Sequence, residues 1–194
     1  MKKQLRVGFD LDGVLLYNPA RIIRPLMSFV KKYILKRDLN KFYYPKNRIE
    51  KFIWWFLHKS SLWPSSGIKD LIKLIEQKKI KAYVVSARYE LLENDFNDWI
   101  KIIDPNKKFS GYFYNNKNDQ PQFFKEKMIN KLDLDIFVED NWDIVKHLKM
   151  KNEKLKIYWI YNIFDRSINY KYKFSSLKNV INYLKLLPST NYKL

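Results

Sequence analysis

The stretch "VGFDLDGVLL" near the start constrains this chain more than any other. An apolar run reaches Phe9 and meets Asp10, Leu11, Asp12 and Gly13. A buried carboxylate without a partner is costly, and two close together also repel each other. Along an extended backbone, positions i and i+2 point to one side, so Asp10 and Asp12 converge. Gly13 lets the chain turn away in a conformation that other residues resist. The stretch predicts a buried strand whose end presents two acids to something positive, either a structural partner or a metal ion.

The rest of the chain supplies a frame for that strand. Strand and helix patterns alternate, which predicts an α/β fold: a Rossmann-like three-layer sandwich with a central parallel sheet. Strands are expected at Leu5–Phe9, Ile80–Ser86, Phe109–Tyr114, Leu134–Val138 and Leu155–Tyr161. Helical spacing of Ile68, Leu71, Ile72 and Ile75 predicts a helix there, with others over Tyr89–Ile102, Phe123–Leu132, Trp142–Lys149 and Ser175–Leu187. Ser175 or Ser176 would cap the last. The segment "NIFDRSINYKYKF" (Asn162–Phe174) has no clear periodicity and is left as a connection that lines the site or crosses the surface. At 194 residues the chain suits one domain with a modest insertion and should bury roughly 70% of its unfolded surface.

In open parallel sheets, ligands bind beyond the carboxyl ends of the strands. The residues there are informative. The second expected strand ends in "VVSAR", presenting the hydroxyl of Ser86, with Arg88 two residues on. The segment "FFKEKMIN" carries Lys125 and Lys127, and the fourth strand runs into acids in "FVEDN", Glu139 and Asp140.

These four motifs, in this order and on these strand ends, resemble those of the haloacid dehalogenase superfamily of phosphatases and phosphotransferases. The resemblance covers residues 5 to 165 apart from an insertion. It implies a Mg²⁺-dependent phosphatase that cleaves a phosphate monoester through an aspartyl-phosphate. Asp10 would be the nucleophile and Asp12 the general acid and base. Ser86 would hydrogen-bond a phosphoryl oxygen, a lysine would neutralise charge in transit, and Arg88 would face the substrate. Asp10, Asp140 and the backbone carbonyl of Asp12 would hold the metal. A dehalogenase also uses an aspartate nucleophile but needs neither a second aspartate nor a metal-binding acid pair, so Asp12 and Asp140 argue against that activity.

Each residue has a plainer reading. Asp10 and Asp12 would form a turn, Ser86 would cap the following helix, and Arg88 would make a surface salt bridge. Glu139 would reach a metal through water or orient a ligand from behind, and Asp143 would be a helix N-terminal acid. Lys125 is preferred over Lys127 as the motif lysine. It stands fourteen residues before Glu139, the spacing that the resemblance implies for a Glu-Asp ending, and leaves Met128, Ile129 and Leu132 on one helix face, whereas Lys127 has the wrong phase if Met128 is buried.

Between Asp12 and Ser86 the chain is longer than one helix and one strand require. The surplus, 18–63, is where the family inserts a helical cap, which gives a core of 1–17 and 64–194. Helical pieces are expected at Ile22–Leu35 and Arg48–Leu57, separated by Tyr43-Tyr44-Pro45. This region is basic and aromatic, with Arg21, Arg24, Lys31, Lys32, Lys36, Arg37, Lys41, Lys46 and Arg48, then Trp54 and Trp55. Its plain reading is aromatic packing with the bases in water. The others are recognition of a nucleotide, which would make the activity 5′-nucleotidase-like, and contact with an anionic membrane or nucleic acid.

The formal net charge is +18, from 38 Lys and Arg against 20 Asp and Glu, spread along the whole chain. It is read first as solvated surface and second as attraction to an anion. The chain has no cysteine, which excludes disulfides and thiolate metal sites and predicts a cytoplasmic protein. "FIWWFL" is far shorter than the roughly 20 apolar residues of a membrane span. The rival to a phosphatase is a basic binding protein on the same fold that has lost turnover, and a phosphotransferase is a further alternative. Against loss of activity, no motif position holds an inert residue.

Overall fold

Alternate residues of the buried strands serve two different helical layers. A computed structural model describes residues 4–19, 47–49, 51, 52, 55 and 61–187. Strand β1 (Leu5–Phe9) pairs in parallel with β4 (Ile80–Tyr89) on one side and β6 (Ile136–Glu139) on the other. Beyond β4 lies β5 (Tyr112–Asn115); beyond β6 lie β7 (Lys156–Ile160) and β8 (Lys173–Phe174). The sheet order is β5-β4-β1-β6-β7-β8, and every pairing is parallel. The strand order turns outward in both directions from β1, which makes its carboxyl end the crevice where such folds bind ligands.

Val7, Phe9, Ala82, Val84, Ile136, Val138, Tyr158 and Ile160 face one way. They pack on α1 (Ile68–Glu76), α2 (Glu93–Ile103) and α5 (Leu177–Leu186) through Leu71, Leu74, Phe96, Ile103, Leu177, Val180 and Ile181. Tyr83, Val85, Phe137, Ile157 and Trp159 face the other way, onto α3 (Pro121–Leu132) and α4 (Trp142–Lys151) through Phe124, Met128, Ile129, Ile144, Val145 and Leu148. This is the expected three-layer sandwich. Its strands are apolar on both faces, as a parallel sheet covered by helices requires.

Several expected boundaries move. Strand β4 continues past Ser86 to Tyr89, where a register shift lets Tyr89 pair with Asn115. The helix expected from Tyr89 therefore begins as a 3₁₀ turn at Glu90–Leu92 and becomes α2 only at Glu93. Strand β5 starts at Tyr112 rather than Phe109, and β6 at Ile136 rather than Leu134. Ser176, not Ser175, caps α5, its hydroxyl accepting the Asn179 N–H at 3.3 Å. The connection 162–174 contributes a 3₁₀ turn, Ile163–Asp165, and the edge strand β8.

A second, two-stranded ladder closes the base of the insertion. Leu16–Tyr17 (β2) pairs antiparallel with Trp63–Pro64 (β3), and the Tyr17 and Trp63 rings stack with centroids 5.0 Å apart. Within the insertion, residues 48, 49, 51, 52 and 55 are helical, and Lys51 N–H donates to the Asn47 carbonyl at 3.0 Å. The expected helix at Ile22–Leu35 and the basic residues Arg21 to Lys46 lie outside the described residues. Among the described residues, no helix is long and apolar enough to cross a membrane.

Candidate active site

The Asp10 N–H donates to the Val138 carbonyl at 3.0 Å, so the β1–β6 ladder runs one residue past the strand. That bond sets Asp10 beside Glu139 and Asp140, which end β6. After Asp10 the chain turns tightly: Gly13 N–H donates to the Leu16 carbonyl at 2.9 Å, and Leu16 N–H to the Leu11 carbonyl at 2.8 Å. Gly13 takes φ +80°, and a Cβ there would lie 2.1 Å from Asp140 Oδ2. Glycine is thus needed twice, for the turn and for the close approach of Asp140.

Asp10, Glu139 and Asp140 are all buried and can each offer an oxygen such that the three atoms lie within 4.8 Å of one another. Lys125, on α3 and 1% exposed, reaches this group from the neighbouring layer. Its Nζ lies 3.1 Å from Asp10 Oδ2 and 2.6 Å from Glu139 Oε2. The other oxygen of Glu139 accepts the backbone N–H groups of Asp140 at 3.1 Å and Asn141 at 2.9 Å. Glu139 is therefore a brace between the lysine and the turn into α4. Lys127 is exposed on the opposite side of α3, because Met128 and Ile129 face the core.

The electrostatics follow from burial. Burial pushes Asp10 well above the ordinary carboxylate value of 3.8; Lys125 opposes this, while Glu139, Asp140 and Asp12 add to it. Glu139 is likewise raised by burial and opposed by Lys125. For Lys125, burial works against the charge, but Asp10 and Glu139 outweigh it and hold the ammonium at about 12. One lysine serves two of the three carboxyl groups, Asp10 and Glu139, so the negative groups outnumber the positive one. The cluster retains a demand for positive charge.

Asp12 belongs to a second network. Arg88 is 2% exposed and grips both its oxygens, Nε to Oδ2 at 2.8 Å and Nη2 to Oδ1 at 2.7 Å. The third guanidinium nitrogen, Nη1, pairs with Asp95 in the first turn of α2. Ser61, leading from the insertion into β3, donates its hydroxyl to Asp12 Oδ1 at 2.7 Å. Arg88 is thus in a buried ion pair, not on the surface. Ser86 is buried, and its Oγ accepts the Arg88 N–H at 3.3 Å instead of capping a helix. Asp143 sits in the first turn of α4 and pairs with Lys146 at 2.8 Å, as a helix-terminal acid does.

Three participants escaped the sequence reading. Asp95 resembles any first-turn helix acid; its one signal is that it lies in the first turn of the helix after "VVSAR". Ser61 carries no signal. Trp159, whose indole donates to the Asp140 carbonyl at 3.2 Å, reads as core. A surface cavity of about 810 Å³ between α1 and the end of α2 is lined by none of the site residues.

No protein-family profile and no curated protein sequence matches the chain. Solved structures do. CbbY from Rhodobacter sphaeroides, solved in complex with phosphate, superposes with a TM-score of 0.58 at 12% identity over 92% of this chain and 96% of that one. The fold is that of the haloacid dehalogenase-like hydrolases. A haloacid dehalogenase-superfamily hydrolase from Ehrlichia chaffeensis gives 0.52 at 14% identity, over 95% and 98% of the two chains. A hydrolase from Streptococcus pneumoniae TIGR4 gives 0.51 at 14%, over 96% and 100%. Within this haloacid dehalogenase-like fold, the acid cluster lies at the carboxyl ends of β1 and β6.

Proposed function

We propose that this chain is a haloacid dehalogenase-superfamily phosphatase, which hydrolyses a phosphate monoester with Mg²⁺ through a phosphoryl group carried on Asp10. The observation that carries the reading is the buried group of Asp10, Glu139 and Asp140 at adjoining strand ends, served by one lysine. An all-carboxylate oxygen set with surplus negative charge suits a small, hard divalent cation. Asp10 and Asp140 would hold it, with the Asp12 carbonyl, while Glu139 keeps its oxygens on Lys125 and two backbone N–H groups. When bound, Mg²⁺ would offset the repulsion between an anionic nucleophile and an anionic phosphate.

The protein's own residues then divide the work. The Asp10 carboxylate attacks phosphorus and the ester oxygen departs. Asp12 gives that oxygen a proton, then takes one from the water that cleaves the phosphoryl–Asp10 bond. Ser86 uses its oxygen on the Arg88 N–H, which leaves its O–H to donate to a phosphoryl oxygen. Lys125 neutralises charge that builds up between Asp10 and the phosphoryl group. Segments 1–17 and 64–194 carry this chemistry, and 18–63 selects the ester, with a nucleoside monophosphate as the favoured class on account of its bases and aromatics.

The test is phosphate release from nucleoside, sugar and aryl phosphates, with Mg²⁺ or EDTA, by wild type and Asp10→Asn. Metal-dependent release that vanishes in Asp10→Asn is expected, with nucleotides preferred over sugar phosphates. Release that survives in Asp10→Asn overturns the mechanism. Equal use of sugar phosphates overturns the substrate class.

A further inference from the structure

Asp12 is held more firmly than a group that only has to reach a leaving oxygen requires. Arg88 spans both of its oxygens with two separate nitrogens at 2.7 and 2.8 Å. The guanidinium is planar, so fixing a third nitrogen fixes the plane, and Asp95 does so from the first turn of α2. The backbone contributes as well. Arg88 lies within the register shift between Ser86 and Tyr89, and its N–H is tied to Ser86 Oγ. A break in register re-aims the side chains that lie within it. Arg88, Asp95 and Asp12 are not neighbours in sequence; β4, α2 and the turn after β1 bring them together. Three of the five guanidinium N–H groups, one on each nitrogen, are committed to two carboxylates.

We propose that Arg88 and Asp95 are positioning residues: a rigid clamp, anchored on α2, that orients the Asp12 carboxyl group, whose proton passes to the departing ester oxygen and leaves Asp12 as the carboxylate that next takes a proton from water. This deepens the phosphatase reading above and rests on it. It also gives Arg88 a different duty from the substrate contact that the family resemblance implies. Ser61 adds a link from the insertion to the same carboxylate, through Oδ1.

The test exploits the leaving group. An aryl ester such as 4-nitrophenyl phosphate departs without needing a proton, whereas an alkyl phosphate needs one. The value of kcat/KM reports the steps up to that departure. The clamp predicts that Asp95→Asn and Arg88→Lys lower kcat/KM on the alkyl ester at least about tenfold more than on the aryl ester. Asp98→Asn, an exposed acid on the same helix, should leave the ratio of the two values unchanged. A merely structural ion pair lowers both values together, and so does an Arg88 that holds the substrate phosphate; equal losses overturn the clamp.

If wild type cleaves neither ester, or Asp10→Asn cleaves both, the phosphatase reading has failed. The clamp is then read from urea unfolding of Asp12→Asn, Asp95→Asn and the double variant. Coupling through Arg88 predicts departure from additivity of about threefold or more in the unfolding equilibrium constant. Additive effects overturn the clamp.

Discussion

Gly13 and Asp140 occupy space that only a residue without a side chain permits: a Cβ on Gly13 would stand 2.1 Å from Asp140 Oδ2 and 2.5 Å from its Cγ. The turn after β1 and the acid ending β6 are fitted to each other. Gly13→Ala would strain φ +80°, at a cost of about 1 kcal/mol or more. It would also drive Asp140 from Asp10 and Glu139. The Mg²⁺ concentration for half-maximal turnover should rise about tenfold or more, as it does when metal ligands lose their support. An unchanged metal requirement in a folded Gly13→Ala protein would show that Asp140 does not serve the ion.

Lys125 and Lys127 give a paired prediction. Lys125 is buried between Asp10 and Glu139, and removing one partner of a buried ion pair costs about 3–5 kcal/mol. Lys125→Ala should lower the melting temperature and reduce turnover about 10²-fold or more at temperatures where it is folded. Lys127→Ala, on the exposed side of α3, should stay within about 0.5 kcal/mol of wild type with full turnover. The reverse pattern, read by thermal melts and steady-state rates, would reassign the lysine.

Asp10 predicts a pH dependence of defined sign. Burial raises its folded value above the ordinary 3.8, so between the two values the folded chain holds a proton that the unfolded chain has lost. Stability from this group therefore falls as pH rises from 3.8 towards the folded value, and above both the full cost remains. Lys125 keeps Glu139 as its partner when Asp10 is replaced, so in EDTA at neutral pH Asp10→Asn should be more stable than wild type by about 0.5–2 kcal/mol. The advantage should disappear below pH 3.8. Mg²⁺ should raise the melting temperature of wild type and not of the variant. Destabilisation by Asp10→Asn across the whole range would contradict this account of the cluster.

Trp159 supports Asp140 from below. Its indole donates to the Asp140 carbonyl at 3.2 Å, and its ring packs on Trp142 with centroids 4.4 Å apart. Trp159→Phe keeps an aromatic ring and removes the donor. It should cost about 1 kcal/mol in urea unfolding and weaken Mg²⁺ binding, measured by calorimetry, several-fold. Unaltered metal affinity would confine Trp159 to packing.

What the sequence reveals of this architecture follows from how locally each feature is encoded. Leu5–Phe9 reads as a buried strand because five consecutive residues must fit between two helical layers, and "DLDG" and "FVEDN" mark strand ends because acids interrupt apolar runs. The phase of Met128 and Ile129 separates Lys125 from Lys127 because a helix period is local too. Other features are not local. Strand β8 has two residues, and β2 and β3 have two each, too few to show an alternation. The continuation of β4 to Tyr89 depends on Asn115 in another strand. Arg88 meets Asp12 across 76 positions, and Asp95 and Ser61 join them only when β4, α2 and the base of the insertion come together.

The central claim is that Asp10 carries the phosphoryl group, and trapping that species tests it most directly. Asp12→Asn keeps the nucleophile but lacks the base that activates water, so it should stall after transfer. Incubated with an aryl phosphate and Mg²⁺, this variant should gain the mass of one phosphoryl group. The adduct should map to Asp10 after borohydride reduction and peptide mass spectrometry. It should be absent in EDTA and absent when Asp10→Asn is added. Turnover by wild type with no adduct at Asp10 in the stalled variant, or with the adduct on another residue, would contradict the account.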